Sequence, residues 1–393
     1  MRAARLLVSL LAALLFSSAP AQQDALTPVI ASPLRPSTSA FLGTDDKLHL
    51  VYELTITNTG TATAALQKIE VVSPDAPNQV FATFEGASLL TRLRTAGRGP
   101  ELTSSQIEFS ATRLFLIDFT VDATTRLTTT LLHRFTVLAA GPPGSPKDQT
   151  VLQTYTIAPI ALTTDVTILG PPLSGKHWVA LNGCCAASGV HRGTGMPVNG
   201  EIYFAQRFAI DWMLLDANAK FDTGDGKSVE DYADYGAKVI AVADGTVVET
   251  LSTLDNQIPG TLPDPKTITI QNVDGNHIVL DLGHGKYAFY AHLQKGSLLV
   301  AKGDHVKRGQ PLALLGNTGN TSAPHLHFHL MNGTSVLGSS GLPYVLDHFE
   351  LAGQLSAERF DKTGLEGDWS SGLSAQPSDR KLEFPLDLNV INF

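Results

Sequence analysis

Three histidines occupy alternate positions late in the chain, at His325, His327 and His329. In an extended segment successive side chains point to opposite faces, so these three imidazoles are expected on one side of a strand. A fourth, His292, lies one strand and loop earlier, in the run Tyr290–Leu293. Such a cluster is hard to explain by packing. It is typical of ligands and proton-transfer groups around a divalent metal, and it indicates zinc.

Around these histidines the sequence resembles the LytM/lysostaphin-type zinc endopeptidases, which cut peptidoglycan cross-bridges and stem peptides. The matching motifs occur in the family's order across roughly residues 191–348. They are Gly236–Val248, Gly275–Leu280, Tyr290–Leu293, Gly303–Gln310, Gly316–Asn320 and Pro324–Phe328. The resemblance implies a β-sheet peptidase domain with an open groove and a zinc-dependent reaction.

The first metal motif departs from this family. The family carries a histidine followed four residues later by an aspartate on the same strand face. Here Asp211 stands at the carboxylate position, but Arg207 stands at the histidine position. A guanidinium stays protonated and has no acceptor, so it cannot bind a cation. The expected set of three ligands is therefore incomplete.

One hypothesis is that a histidine from elsewhere supplies the missing ligand. Arg207 would then turn away, or pair with Asp211 or with a substrate carboxylate. The preferred candidate is His191, which lies in the glycine-rich loop Gly189–Gly195 just upstream. The second candidate is His177, beside a tryptophan.

Two other hypotheses remain open. In one of these, the site has lost its metal, as in the LytM domains that activate amidases. In the other, metal binds weakly through Asp211 and His327 alone. The first hypothesis is favoured because Asp211, His292, His325 and His327 all persist. A site released from catalysis has no chemical reason to keep four polar groups in one cleft.

The resemblance also implies a role for each residue of an active site. Asp211 and His327 would bind zinc, with His191 as the proposed third ligand and water as the fourth. His325 would polarise that water as the general base. His292 would stabilise the developing oxyanion or protonate the leaving amine.

The other histidines of this region receive lesser roles. His329 stands where the family usually has an acidic or amide residue, and it is interpreted as a partner that orients another imidazole. His277, His284 and His305 fall in hairpin or turn contexts, and we expect them to be exposed to solvent.

The amino terminus predicts export. Met1–Arg5 is basic, Leu6–Phe16 is apolar, and small residues end at Ala21, the pattern of a signal peptide over residues 1–21. The apolar run is too short to span a bilayer, and no later stretch approaches the ~20 apolar residues of a membrane helix. The mature protein is expected in the periplasm or outside the cell, with no membrane span.

The rest of the chain is predicted to form the domains that hold the site in place. Residues 24–165 contain alternating runs separated by turn signals, which predict an immunoglobulin-like β-sandwich. A linker is expected over 166–190, the LytM-like metallopeptidase domain over 191–348 and a C-terminal β extension over 349–393. The predicted fold class is therefore all-β, with a sandwich followed by a sheet around a groove.

Composition limits the partners. The chain has 393 residues, 43% of them hydrophobic, and a net charge of -9, which argues against nucleic acid as a partner. The two cysteines, Cys184 and Cys185, are adjacent and cannot close a stabilising loop. They form a vicinal disulfide, pair between chains or stay reduced.

The preferred function is zinc-dependent hydrolysis of peptide bonds in peptidoglycan stem peptides or cross-bridges. The alternative is a catalytically degenerate LytM-like module that binds the cell wall or activates a partner amidase.

Overall fold

The structure, a computed structural model, describes residues 25–96, 102–141, 144–146 and 149–393. Strands form nearly all of the regular secondary structure in the described chain, which confirms the predicted all-β class. The predicted signal peptide, residues 1–21, lies outside the described residues. The α-helices of the described chain are α1 (Gly86–Leu90) and α2 (Ala357–Thr363), and neither is long and apolar enough to cross a membrane.

The N-terminal strands form two sheets that pack face to face. Their bounds are β1 Val29–Pro33, β2 Ser37–Ser39, β3 Phe41–Leu42, β4 Lys47–Asn58, β5 Ala64–Val72, β6 Val80–Glu85, β7 Leu93–Thr95, β8 Gln106–Ile107, β9 Thr112–Asp122, β10 Thr130–Ala140 and β11 Thr150–Thr163. One sheet has the order β1-β4-β9-β7, with β3 on β4, and the other has the order β2-β11-β10-β5-β6, with β8 on β5.

Alternation along these strands explains the sandwich. Leu50 and Leu54 of β4 and Phe115 of β9 share one buried cluster with Ile69 of β5 and Phe135 of β10. A period of two sends such residues inward from both sheets and leaves polar residues outside. The two-sheet sandwich is thus observed, while its assignment to the immunoglobulin-like class stays a prediction.

The remaining strands build the second region. Their bounds are β12 Thr167–Leu169, β13 Trp178–Leu181, β14 Met196–Val198, β15 Glu201–Tyr203, β16 Ile210–Leu214, β17 Lys238–Ile240, β18 Gly245–Leu251, β19 His277–Asp281, β20 Tyr287–Ala291, β21 His305–Val306, β22 Pro311–Leu314, β23 Leu326–Met331, β24 Gly341–Leu342, β25 Tyr344–Leu346, β26 Phe349–Leu355, β27 Leu373–Arg380 and β28 Asn389–Asn392. The main sheet has the order β21-β18-β19-β20-β23-β16-β13-β28-β26-β27, with β24 on β23.

The prediction of a linker over 166–190 is wrong. β13 lies inside the main sheet, between β16 and β28, and all four of its residues are buried. β12 pairs in parallel with β25. A run of only four apolar residues between glycine- and proline-rich segments carries too weak a periodic signal to be recognised as a strand. The second region therefore begins before residue 191, and β26 to β28 of the C-terminal segment extend the same sheet.

The two regions share buried surfaces. Phe41 and Val51 of the sandwich belong to the main core of the second region. Leu114 and Leu116 of β9 form a smaller buried cluster with Phe204. Apolar burial of this kind stabilises the contact between the regions by roughly 25 cal/mol per Å². The sandwich is consequently packed against the region that carries the histidines.

Candidate metal centre

Strand register brings the candidate residues together. His327 lies in β23, whose six residues are all buried. Asp211 of β16 is its direct partner on one side, and Ala291 of β20 is its partner on the other. Side chains that face each other across antiparallel strands approach to about 4.5–5.5 Å between Cβ atoms. Asp211 therefore adjoins His327, and His292 follows at the end of the opposite strand.

His191 reaches this centre from outside the sheet. It begins a 3-10 turn, His191–Gly193, and is buried. Its Nε2 lies 3.4 Å from Oδ2 of Asp211. Nδ1 of His327 lies 2.9 Å from the other carboxylate oxygen, Oδ1. One donor atom from each of these three residues falls within 4.8 Å of the others, so the three can share one ion.

Backbone carbonyls fix the tautomer of His191. Its Nδ1 lies 2.8 Å from the carbonyl oxygen of Asn182 and 3.2 Å from that of Ala209. A carbonyl oxygen only accepts, so Nδ1 carries the proton and Nε2 presents its lone pair to Asp211. This is the arrangement that orients an imidazole for metal binding.

His327 has a comparable partner in His329. Nε2 of His327 lies 3.0 Å from Nδ1 of His329, and both rings are buried. A metal at Nδ1 of His327 requires the proton at Nε2, and Nδ1 of His329 is then its acceptor. The geometry fits the interpretation of His329 as an orienting partner.

His292 and His325 flank the centre, with ring centroids 4.6 Å apart. Nδ1 of His292 donates to the carbonyl of Thr318 at 2.7 Å, and Nδ1 of His325 donates to that of Ala323 at 2.9 Å. Both Nε2 atoms are thus acceptors in the neutral rings. His292 has a φ of 60°, in the left-handed region, which bends the chain at the end of β20.

Burial and neighbouring charges both shift the pKa values of this cluster, in opposite directions at His191, His325 and Asp211 and in the same direction at His292. Burial lowers the pKa of His191 and of His325, but the Asp211 carboxylate outweighs it and raises both. Burial raises the pKa of Asp211, yet the charges of His191 and His325 hold it well below its ordinary range. Burial, reinforced by His325 and His327, holds the pKa of His292 well below its usual value.

Arg207 turns away from the metal centre. It is buried and donates through Nε to Oε1 of Glu53 at 2.9 Å, through Nη2 to Oε2 of Glu53, and through Nη1 to the carbonyl of Gly341 at 3.0 Å. The prediction that Arg207 turns away from the site is therefore observed. The alternative prediction, that it pairs with Asp211, is wrong.

The other histidine predictions have mixed outcomes. His177 is exposed and does not line the groove, so the second candidate ligand is excluded. His284 and His305 are exposed, as predicted. The prediction for His277 is wrong, because the residue begins β19, is buried and packs against Phe289.

Two residues at or near the candidate centre were not predicted from the sequence. Asn182 follows β13, whose Leu181 is the register partner of Asp211, and its Nδ2 donates to Oδ2 of that carboxylate at 2.8 Å. Glu53, from the sandwich, contacts both Arg207 and Arg192. Recognising β13 as a strand could have found Asn182, whereas no local signal marks Glu53. Nearby, Cys184 and Cys185 form a disulfide, one of the three states left open.

A groove of about 660 Å³ opens over the centre. Its lining includes the residues of the candidate centre: His191, Asp211, His292, His325 and His327. One wall comes from the sandwich, through Arg94, Thr95, Leu114 and Leu116. The volume falls within the usual range of binding sites, about 300–1,000 Å³.

The donor set fits zinc. Two imidazoles and one carboxylate are the protein ligands of several catalytic zinc sites, which keep a fourth position for water. The hydrogen bonds of His191 and His327 are those that would leave one nitrogen of each ring free toward Asp211. The site is therefore a groove with a metal-type set of donors and two further imidazoles beside it.

One segment of the chain matches a known peptidase family. Residues 226–337 match the model of peptidase family M23, so this segment is an M23-type domain and the resemblance to LytM peptidases is confirmed. The matched segment contains His292, His325 and His327. It begins after His191 and Asp211, so the first metal motif lies outside it.

Curated relatives match over short segments. Peptidoglycan DD-endopeptidase ShyA from Vibrio cholerae is 46% identical over 57 residues, which are 14% of this chain and 13% of that protein. An uncharacterized metalloprotease from Haemophilus influenzae is 35% identical over 111 residues, 28% of this chain and 19% of that protein. The matched segments thus span less than a fifth of these relatives.

Solved structures give matches of low overall similarity. The catalytic domain of lysostaphin from Staphylococcus simulans has 24% identity and a TM-score of 0.22, covering 37% of this chain and 80% of that one. A zinc-containing peptidase from Vibrio cholerae has 16% identity and a TM-score of 0.26, covering 77% of this chain and 83% of that one.

Proposed function

We propose that this protein is an exported zinc-dependent endopeptidase that hydrolyses peptide bonds in peptidoglycan stem peptides or cross-bridges. The observation that carries the proposal is the position of His191, whose Nε2 lies 3.4 Å from Asp211. This imidazole replaces the ligand that Arg207 cannot provide. Asp211, His327 and His191 are the proposed metal ligands.

Zinc bound there would lower the pKa of a bound water to about 7 and polarise the scissile carbonyl. The ring of His191, anchored by backbone carbonyls, and the ring of His327, held by His329, would keep that position without rearrangement. Asn182 supports it, because its amide donates to the Asp211 oxygen that faces His191. A ligand whose second contact is fixed loses less freedom when it binds a cation.

The two other imidazoles supply proton transfer. His325 accepts a proton at Nε2, which lies 3.4 Å from Oδ1 of Asp211, and so acts as the general base. His292 presents a lone pair at Nε2 in its neutral form. It becomes a donor once it receives the proton that His325, 4.6 Å away between ring centroids, removed from the water, and it then stabilises the oxyanion or protonates the leaving amine.

The substrate class rests on the family and on the groove. The relatives named peptidoglycan DD-endopeptidases support wall peptides as the substrate. The groove is open and about 660 Å³ in volume, enough for a short peptide segment. Residues 1–21 have the sequence pattern of a signal peptide, which would bring the protein to the compartment that holds peptidoglycan.

The rival function is a metal-free LytM-like module that binds the wall or activates a partner amidase. Zinc content separates the two. Purified protein should carry about one zinc per chain and release soluble peptides from purified sacculi. His191→Ala and His327→Ala should lose the zinc and at least ~10²-fold of the hydrolysis.

His284→Ala is the matched control, because His284 is exposed and does not line the groove. It should keep both zinc and activity. A protein that stays free of zinc after reconstitution and binds sacculi without releasing peptides would overturn the proposal. Retention of zinc by His191→Ala would remove His191 from the ligand set.

A further inference from the structure

Glu53 is a carboxylate of the sandwich that is almost fully enclosed between the two regions. It lies in β4 and is 1% exposed. Its Oε1 accepts from Nη1 of Arg192 and from Nε of Arg207 at 2.9 Å, while its Oε2 accepts from Nη2 of Arg207. Burial raises the pKa of Glu53, but the two guanidinium groups outweigh it and lower the pKa overall.

The first arginine is adjacent to the proposed ligand His191. Arg192 is 2% exposed and donates through Nη2 to the carbonyl of Ile117 at 3.2 Å, in addition to its contact with Glu53. Both partners belong to the sandwich. Because Arg192 and His191 are consecutive in one 3-10 turn, fixing the arginine fixes the backbone from which the imidazole extends.

The second arginine is close in sequence to the other half of the centre. Arg207 lies two residues before Ala209, and the carbonyl of Ala209 accepts from Nδ1 of His191. It precedes Asp211 by four residues. Glu53 therefore holds both segments that meet at the metal centre, and the residue that replaced the usual histidine is one of the two groups it holds.

We propose that Glu53 is a positioning residue which, through Arg192 and Arg207, sets the separation of His191 and Asp211 and so the affinity for zinc. The inference rests on the proposed function, because it assigns His191 as a ligand. It makes the metal centre dependent on the sandwich, a region outside the M23-type domain. Removing residues that orient metal ligands typically weakens metal binding by about 10–100-fold.

The test compares two buried carboxylates of the sandwich in the full-length protein. Glu53→Gln keeps the shape of the side chain but removes its charge. Glu70→Gln is the matched control, since Glu70 is buried and pairs with Arg134 at 2.8 Å, on the sheet that does not contain β4. The zinc dissociation constant is measured by competition with a chelator, and melting of the zinc-free proteins is measured in parallel.

We expect Glu53→Gln to bind zinc about 10–100-fold more weakly and Glu70→Gln to change affinity by less than about threefold. The visible spectrum of the cobalt-substituted protein should change in Glu53→Gln alone, because it reports ligand geometry rather than stability. Equal losses of zinc affinity in both variants, or none in Glu53→Gln, would overturn the proposal.

A variant that does not fold is replaced by Arg192→Lys, which keeps the buried charge but loses the fork that contacts Glu53 and the Ile117 carbonyl together. At least a tenfold loss of zinc affinity is expected there, and unchanged affinity counts against the proposal. The two levels of the argument stay separable. Wild-type protein without zinc refutes the proposed function, whereas tight zinc binding by wild type and Glu53→Gln alike refutes only the positioning role.

Discussion

The sandwich and the groove each contain buried histidines, and one difference separates them. His133 in β10 donates from Nδ1 to the carbonyl of Ala158 at 2.6 Å, as His191, His292 and His325 donate to carbonyls in the groove. Nε2 of His133, however, meets the hydroxyl of Tyr52 at 2.9 Å. In the groove, Nε2 of His191 and Nε2 of His325 each lie 3.4 Å from the Asp211 carboxylate.

This comparison separates a structural histidine from a chemical one. Anchoring of Nδ1 by a carbonyl is common to both regions, so it does not by itself indicate function. The partner of the second nitrogen decides, because a hydroxyl saturates it whereas a carboxylate in an open groove leaves room for a cation or a water. Changes to that second contact should therefore have different consequences in the two regions.

The largest effect on activity is expected from removing an imidazole of the groove. His325→Ala should lower kcat by about 10²–10⁴-fold, the usual contribution of a general base, while zinc stays bound. Peptide release from sacculi and metal content are measured on the same preparation. His305→Ala, at an exposed histidine, should leave both unchanged. Loss of zinc in His325→Ala would mean that this imidazole is a ligand instead.

In the sandwich, acid should reduce the stability that the neutral His133 contributes. Burial lowers the pKa of His133 from its ordinary 6.5 to about 4, so it stays neutral in the folded protein. The unfolded chain takes up this proton below about pH 6.5 and the folded protein only below about pH 4. The contribution is fully present above pH 6.5 and is lost as the pH falls through this window, by up to about 3 kcal/mol.

His133→Gln tests that contribution. The free energy of unfolding in urea is measured at pH 7 and pH 4.5 for both proteins, and the decrease between the two should be smaller in the variant by about 2 kcal/mol. His284→Gln is the control and should follow wild type, because that histidine is exposed. Identical decreases in wild type and His133→Gln would show that His133 titrates normally in the folded state.

A smaller effect should follow when the support of Asp211 is removed. Asn182→Gly keeps the left-handed backbone, whose φ is 54°, and deletes the amide that donates to Oδ2 of Asp211. Zinc affinity should fall by about tenfold while the fold is retained. Asn199→Gly, at another left-handed asparagine with a φ of 51°, is the matched control. Equal zinc affinity in both variants would remove Asn182 from the centre.

The sequence predicted the part of this centre that depends on local periodicity. The alternation His325, His327, His329 suits an extended strand, and the structure places His327 and His329 in β23 with His325 directly before it. Asp211 was predicted from the resemblance to the family's first metal motif, and His191 from its place in the glycine-rich loop just upstream. The contacts that could not be predicted connect residues far apart in the chain. Glu53 lies 139 residues before Arg192 and 154 residues before Arg207. Such pairing depends on how the sandwich packs, which no local pattern encodes.

The smallest effect is expected where the two regions meet over the groove. Arg94 of β7 is half-buried and lines the groove, and its guanidinium donates to the carbonyls of Leu93 at 3.0 Å and Ala187 at 3.4 Å. In a chain of net charge -9 it offers a local positive charge to a substrate carboxylate. Arg94→Met should raise KM about fivefold and leave kcat unchanged, because a contact made equally in ground and transition states affects binding alone.

Substrate chemistry sharpens this prediction. With wild type, amidation of the substrate carboxylate should raise KM by the same factor, and with Arg94→Met it should have no further effect. Arg126→Met is the control, since Arg126 is an exposed arginine of the sandwich that does not line the groove. A change in kcat rather than KM would instead place Arg94 among the groups that act on the transition state, and the sandwich would then contribute to the chemistry as well as to binding.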